Sequence, residues 1–206
     1  MDRPPEVHIV DDNASFRECL RQALQAAGFA TRVYDSAEQF LDGLEPSSVG
    51  CVILDLRLPG MDGVALLKHL RANRCEIPVI VISAYADVSA TVQVMKLGAI
   101  DLLQKPLAFP ALFALVNKVV RQNVADHERQ VAANTIRQRF DALSSREREL
   151  LQLIVDGRSN KQIASELNIS IKTVANHRAH LMAKMQAENA ADLARLTLNA
   201  GLLPIH

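Results

Sequence analysis

Five short strand candidates in the first part of the chain each give way to a segment of helical spacing, and that alternation leaves few folds open. They occupy residues 7–10, 30–34, 51–54, 78–82 and 102–103. Between them, residues 15–27 place Phe16, Leu20, Ala23 and Leu24 on one stripe, closed by Gly28. Ser36 caps a helix carrying Ala37, Phe40, Leu41 and Leu44; residues 64–70 and 88–97 are helical, and another helix begins at Leu107. Strand–helix pairs repeated in this way over about 120 residues predict an α/β unit, one doubly wound five-stranded parallel sheet.

In such a sheet the C-terminal ends of the strands share one edge, where ligands collect. The polar residues at those ends are Asp11, Asp12, Asp55, Ser83 and Lys105. Asp55 terminates the apolar run Cys51-Val52-Ile53-Leu54 and precedes the turn signal Pro59-Gly60. Crowded carboxylates raise each other's cost of ionising, and a hard divalent cation, Mg²⁺ or Mn²⁺, relieves it through oxygen ligands. Lys105 adds a fixed positive charge and Ser83 a hydroxyl able to bond an oxyanion. A carboxylate flanked in this way is placed to attack a phosphoryl group and hold its oxygens, with Asp55 as the nucleophile. Taken singly, each residue has a plainer reading: Asp55 as a turn former, Asp11 and Asp12 as helix caps, Ser83 as a turn hydroxyl, Lys105 as a solvated lysine.

Beyond residue 122 the character of the chain changes. The stretch RQNVADHERQVAANTIRQRFDAL contains no Gly or Pro, and its large apolar residues are Val124, Val131, Ile136 and Phe140. It reads as a long polar helix continuing the one before it: a solvated spacer, a rigid arm or part of a coiled contact, its apolar spacing too irregular for a heptad assignment. From residue 140 onward the pattern is helical only. Ser144 with Glu147 forms a capping box ahead of Leu150, Leu151 and Ile154. NKQIASEL, opening at Asn160, is separated from IKTVANHRAHLMAKM by the turn Asn168-Ile169-Ser170, and NAADLARLTLNAG follows. This is helix-turn-helix spacing, although a plain helical bundle for protein contact has the same periodicity. On the reader helix, Asn176 suits adenine, Arg178 suits guanine or phosphate, and Lys172 and Lys184, with Lys161 on the helix before it, suit phosphate. His177 is equally consistent with a satisfied, half-buried histidine and with a DNA contact.

The 23 basic and 23 acidic side chains cancel, so any nucleic-acid affinity must come from local arrangement rather than net charge. Three scattered cysteines, Cys19, Cys51 and Cys75, form no CxxC pair and fit a reducing cytoplasm. The sequence offers no signal peptide and no membrane-spanning run.

Two resemblances cover nearly the whole chain. The blocks VHIVDDN, VILDLRLPGMDG, VIVISAYAD and KLGAIDLLQKP stand in the order and at the spacing of the receiver (CheY-like, flavodoxin-like) domain of bacterial two-component response regulators. The resemblance implies that Asp55 accepts phosphate from a sensor histidine kinase. It implies that Asp11 and Asp12, with Asp55 and the backbone carbonyl of Arg57, hold Mg²⁺. Ser83 would be the switch hydroxyl, Lys105 the phosphate-binding lysine, and Lys105-Pro106 a cis peptide. LSSREREL and GRSNKQIASELNISIKTVANHRAHLMAKM resemble a LuxR-type helix-turn-helix output domain of four helices, which implies DNA-facing roles for Lys161, Thr173, Asn176 and Lys184. As a whole the chain is similar to a full-length regulator of the FixJ/NarL class, with a receiver at 1–122, a helical linker at 123–139 and a DNA-binding domain at 140–206.

That resemblance implies a bacterial cytoplasmic transcriptional regulator, an activator rather than a repressor. Its expected partners are a sensor kinase, promoter DNA read in the major groove, RNA polymerase, and a second copy of itself on phosphorylation or on DNA. One departure stands out: Leu102 occupies a position that is often Tyr or Phe, which removes the aromatic part of the usual switch. Tyr85 is the nearest aromatic, as a partial substitute or as a plain surface residue. Arg57 and Tyr85 border the phosphoryl position, and their bulk implies a long-lived phosphoryl group. Two competing classes fit less well. A haloacid-dehalogenase-like phosphatase needs an acid two residues after the nucleophile, where this chain has Arg57, and a protein-contact adaptor or antiterminator has no use for the helix-turn-helix.

Overall fold

The computed structural model describes residues 4–45, 48–84 and 88–202. The chain forms two compact units that divide between His127 and Glu128, within one continuous helix.

In the first unit five parallel strands lie in the order β2-β1-β3-β4-β5. They are β1 (Glu6–Val10), β2 (Ala30–Tyr34), β3 (Gly50–Asp55), β4 (Val79–Ser83) and β5 (Asp101–Gln104). Helices α1 (Ala14–Ala26), α2 (Ala37–Gly43), α3 (Gly63–Ala72), α4 (Val88–Lys96) and α5 (Phe109–Asp141) connect and follow them. Strand β3 is central and buried along its whole length, so its side chains feed two cores. Val52 and Leu54 join Phe40, Leu66, Leu67, Leu70 and Val81 on one face. Cys51 and Ile53 join Leu20, Leu24, Ile80, Leu112 and Val116 on the other. Each large apolar side chain taken fully out of water contributes about 1.5–3 kcal/mol, so both faces are needed to hold a sheet this short-stranded.

The doubly wound parallel sheet expected from the sequence is present, with shifts at element ends. Strands β1 and β3 begin one residue earlier, because Glu6 pairs with Gly50 and with Ala30. Strand β3 also extends to Asp55 itself, and β4 to Ser83. The cap of α1 is neither Asp11 nor Asp12: Asn13 accepts the Phe16 N–H at 3.0 Å. In α5, Leu112 and Val116 are fully buried whereas Phe113 is only half-buried.

A histidine lies inside the first core. His8 is 1% exposed on β1, its Nδ1 sharing a hydrogen bond of 3.1 Å with the Tyr34 hydroxyl. Its Nε2 has no partner among the described residues. Burial pushes its pKa below the ordinary value, Glu6 opposes the shift and Arg32 reinforces it. A group that binds its proton less well when folded stabilises the fold fully above its unfolded pKa, near 6.5, and loses that contribution as pH falls below it. The wild type should therefore lose thermal stability relative to His8→Gln between about pH 7.5 and about pH 5.5. Parallel melting profiles for the two proteins over that range would mean that His8 binds its proton as readily folded as unfolded, and would overturn this expectation.

The second unit is helical. The end of α5 brings Ile136 and Phe140 against α6 (Ser145–Val155), α7 (Asn160–Leu167), α8 (Ile171–Met185) and α9 (Ala190–Asn199). Leu150, Leu151, Ile154, Ile163, Leu167, Val174, Leu181, Met185 and Leu193 make its core. Arg137 donates to the Ala200 carbonyl at 3.0 Å and Arg139 to the Met185 carbonyl at 3.3 Å, which ties α5 to the ends of α9 and α8. The capping box of Ser144 and Glu147 is formed. A second box, Ser159 with Gln162, caps α7 directly ahead of Asn160, its first residue. Val131 on α5 is exposed. No helix among the described residues is long and apolar enough to cross a membrane.

Candidate functional site

Parallel pairing sets Val10 beside Leu54, Asp55 beside Ile82, and Ser83 beside Gln104. The next residue along β1 and β5 is Asp11 and Lys105, so Asp11, Asp55, Ser83 and Lys105 line one edge of the sheet. The Lys105 ammonium closes the cluster. Its Nζ lies 2.7 Å from Asp11 Oδ2 and 2.5 Å from Asp55 Oδ2, and it also sits over the Phe16 ring, 4.0 Å from the centroid. The remaining carboxylate oxygens are held by the backbone: Asp11 Oδ1 accepts the Asn13 N–H and Asp55 Oδ1 accepts the Arg57 N–H, each at 2.9 Å. The Lys105 N–H donates to the Ser83 carbonyl at 2.9 Å, which joins β5 to the end of β4. The Lys105-Pro106 bond is cis.

The site is anionic. Two carboxylates face one ammonium, and Asp12 stands next to them, exposed. Burial pushes the Asp11 carboxyl above its usual range; hydrogen bonds from Lys105 and Asn13 pull the other way, and Asp55 adds to the rise. Burial works against the Lys105 charge, but its bonds to Asp11 and Asp55 outweigh that and hold the ammonium above its ordinary pKa. Among the described residues no three His, Cys, Asp or Glu side chains are arranged as a metal-holding group. The donor chemistry nonetheless fits a hard divalent cation, because the donors are all oxygens and one of them is a buried carboxylate that a second positive charge would relieve.

The structure brings Asp11, Asp55 and Lys105 into contact and places Ser83, buried, on the adjoining strand end. Asp12 and Arg57 are exposed at the rim, and Tyr85 lies outside the described residues. Leu102 is half-buried against the apolar cluster on the α2–α3 face of the sheet. The loop following Asp55 is pinned from α2, where Glu38 accepts the Met61 N–H at 2.9 Å. Neither Glu38 nor Phe16 stood out in the sequence as more than a helix residue.

In the second unit the turn between α7 and α8 is made by Asn168 in the left-handed region, followed by Ser170 as the cap of α8. Val174, Leu181 and Met185 turn inward, so Lys172, Asn176, Ala179 and His180 face outward. Lys161, on α7, and His177 are exposed as well, whereas Thr173 is half-buried, its hydroxyl 2.7 Å from that of Ser170. Two more of the candidate DNA contacts are engaged within the unit. Arg178 donates to Asn160 Oδ1 at 3.2 Å, and Lys184 pairs with Glu147 at 2.6 Å. The Lys184 bond, together with the hydrogen bonds from Ser144, holds the Glu147 carboxyl down to about 2.

Residues 7–117 match the family described as response regulator receiver domain, and residues 141–197 match the bacterial regulatory proteins of the luxR family. The transcriptional regulatory protein FixJ of Bradyrhizobium diazoefficiens is 39% identical over 197 residues, covering 96% of each chain. Among solved structures, the response regulator StyR superposes with a TM-score of 0.88 at 38% identity, covering 95% of this chain and 99% of that one. Full-length FixJ from B. japonicum superposes with a TM-score of 0.58 at 38% identity, covering 97% and 98%.

Proposed function

The chain belongs to the two-component response regulators that carry a luxR-family DNA-binding domain, and from that premise we propose that Asp55 is its phosphoacceptor and α8 its DNA reader. The family consists of phosphorylation-dependent transcriptional regulators rather than enzymes, with a sensor kinase on one side and DNA on the other. One observation carries the assignment of Asp55: the Lys105 ammonium spans it and Asp11 at the joined ends of β1, β3 and β5.

In the proposed transfer an Asp55 oxygen attacks the phosphorus of a kinase phosphohistidine. The new P–O bond forms as the P–N bond breaks, and the departing imidazole nitrogen keeps the electron pair and takes a proton from solvent. Lys105 turns from Asp55 Oδ2 to a phosphoryl oxygen, and the Ser83 hydroxyl donates to another. Asp11, Asp12, Asp55 and the Arg57 carbonyl would hold Mg²⁺, which supplies neutralising charge for the crowded oxygens. Movement of Ser83 and Lys105 biases a two-state receiver, transmitted past Leu102 without an aromatic ring. Exposed Val88, Val92, Met95 and Ile100 support pairing of two copies through the α4–β5 face. We further assign RNA polymerase as a partner and the cytoplasm as the location, consistent with the free thiols of Cys19, Cys51 and Cys75.

The test is retardation of genomic DNA fragments by the full-length protein, with and without acetyl phosphate and Mg²⁺. Selective binding that strengthens on phosphorylation is expected; no selective binding in either state would overturn the proposal. On a selected fragment Asn176→Ala should cost about 1–3 kcal/mol and relax the preference at one base pair. Lys172→Ala should weaken selected and random DNA alike and lower the salt slope by about one.

A further inference from the structure

We propose that Phe16 is a positioning residue for Lys105, its ring face fixing and desolvating the ammonium that meets the incoming phosphoryl group; this rests on Asp55 being the phosphoacceptor. The Lys105 ammonium has three N–H donors, and Asp11 and Asp55 take two of them. The Phe16 ring lies 4.0 Å away, a distance at which the negative face of an aromatic ring attracts a cation. Placement of the ring is not incidental. Asn13 accepts the Phe16 N–H at 3.0 Å, and the Asn13 N–H itself donates to Asp11 Oδ1 at 2.9 Å. Arg17, the next residue, donates to the Asp11 carbonyl at 2.5 Å. The cap of α1 is therefore bonded to the same carboxylate that holds Lys105, and the first turn, tied to that cap and to the Asp11 backbone, carries the ring with it.

The consequence appears during transfer. Once an Asp55 oxygen is committed to the P–O bond, Lys105 must leave Asp55 Oδ2 for a phosphoryl oxygen. Asp11 and the ring are the contacts it keeps. Asp11 supplies attraction, and the ring excludes water from one side of the ammonium and limits where it can swing. Without the ring the charge is better hydrated and less directed, and the transfer slows while the carboxylates are untouched.

The experiment compares phosphorylation of full-length wild type, Phe16→Tyr and Phe16→Leu by radiolabelled acetyl phosphate with Mg²⁺. Phe16 also packs against the apolar layer below it, and leucine keeps most of that contact. Phe16→Tyr, which keeps a ring face, should match the wild type. Phe16→Leu should lose roughly three- to tenfold in maximal rate, with the half-saturating Mg²⁺ concentration unchanged. Should Phe16→Leu melt below the wild type, Phe16→Met provides the same comparison. The proposal is overturned if Phe16→Leu transfers at the wild-type rate, or if Phe16→Tyr falls as far as Phe16→Leu. Absence of phosphate on the wild type would instead remove the role of Asp55, and this proposal with it.

Discussion

Asp55→Asn incorporates no phosphoryl group from acetyl phosphate, and the gain in DNA binding that acetyl phosphate gives the wild type disappears. The amide has the shape of the carboxylate but no anionic oxygen to attack phosphorus, so the loss is complete rather than graded. The fold has little reason to change. The Asn side-chain oxygen can still accept the Arg57 N–H that Asp55 Oδ1 accepts now, and Lys105 keeps its ion pair with Asp11. Relief of charge works in the same direction, because Asp55 adds to the upward push on the buried Asp11 carboxyl. Phosphate counting on the purified full-length proteins, with melting temperature as the control for folding, checks the result. Label remaining on a folded Asp55→Asn protein would move the acceptor to another group at the same edge, with Asp11 and Ser83 the first to test.

Much of this site can be read from the sequence because topology does the assembling. A parallel sheet places every strand's C-terminal end on one edge, so Asp11, Asp55, Ser83 and Lys105 are brought together by strand order alone, although they are spread over more than ninety positions. Strands β3 and β4 announce themselves by unbroken apolar runs buried on both faces. Strand ends do not, because pairing between neighbours recruits polar or small residues such as Glu6 and Gly50 that carry no strand signal.

What periodicity cannot reveal is a partner outside its own element. The stripe on α1 marks Phe16 as a core residue and is silent about Lys105. The polar face of α8 marks Arg178 and Lys184 as available, yet Asn160 and Glu147 already hold them, from α7 and α6. In each case the sequence specifies the residue's face correctly, and the side chain's engagement depends on an element it meets only after folding. The Ser159 cap is a different kind of miss. Its capping-box spacing to Gln162 is present in the sequence, directly ahead of Asn160, where the helix opens.

Gly63→Ala should damage the fold and the phosphoacceptor together, whereas Gly28→Ala should damage only the fold. A Cβ built on Gly63 would lie 2.4 Å from the Asp55 carbonyl oxygen and 2.8 Å from Leu56 Cα. Both are backbone atoms and cannot swing aside as a side-chain tip can. The Gly63 N–H also donates to the Leu56 carbonyl at 3.0 Å, so the start of α3 is bonded to the chain it would strike. Either α3 backs away and loosens Leu66 and Leu67 in the core, or the end of β3 yields and carries Asp55 off Lys105. Overpacking of this kind costs about 1–3 kcal/mol, and a misplacement near 1 Å at a reacting group costs on the order of a hundredfold in rate. At Gly28 the added methyl meets nothing within 4 Å, and only its φ of +91° is unfavourable, a penalty of about 1–2 kcal/mol. Denaturant unfolding and acetyl phosphate incorporation, measured on both variants where each is folded, separate the two effects. Comparable stability losses with slow phosphorylation in Gly63→Ala alone would establish that the helix start serves as the stop against which Asp55 is set. Wild-type phosphorylation in Gly63→Ala would mean that α3 gives way before β3 does, leaving Lys105 and the strand's own pairing to hold Asp55 in place.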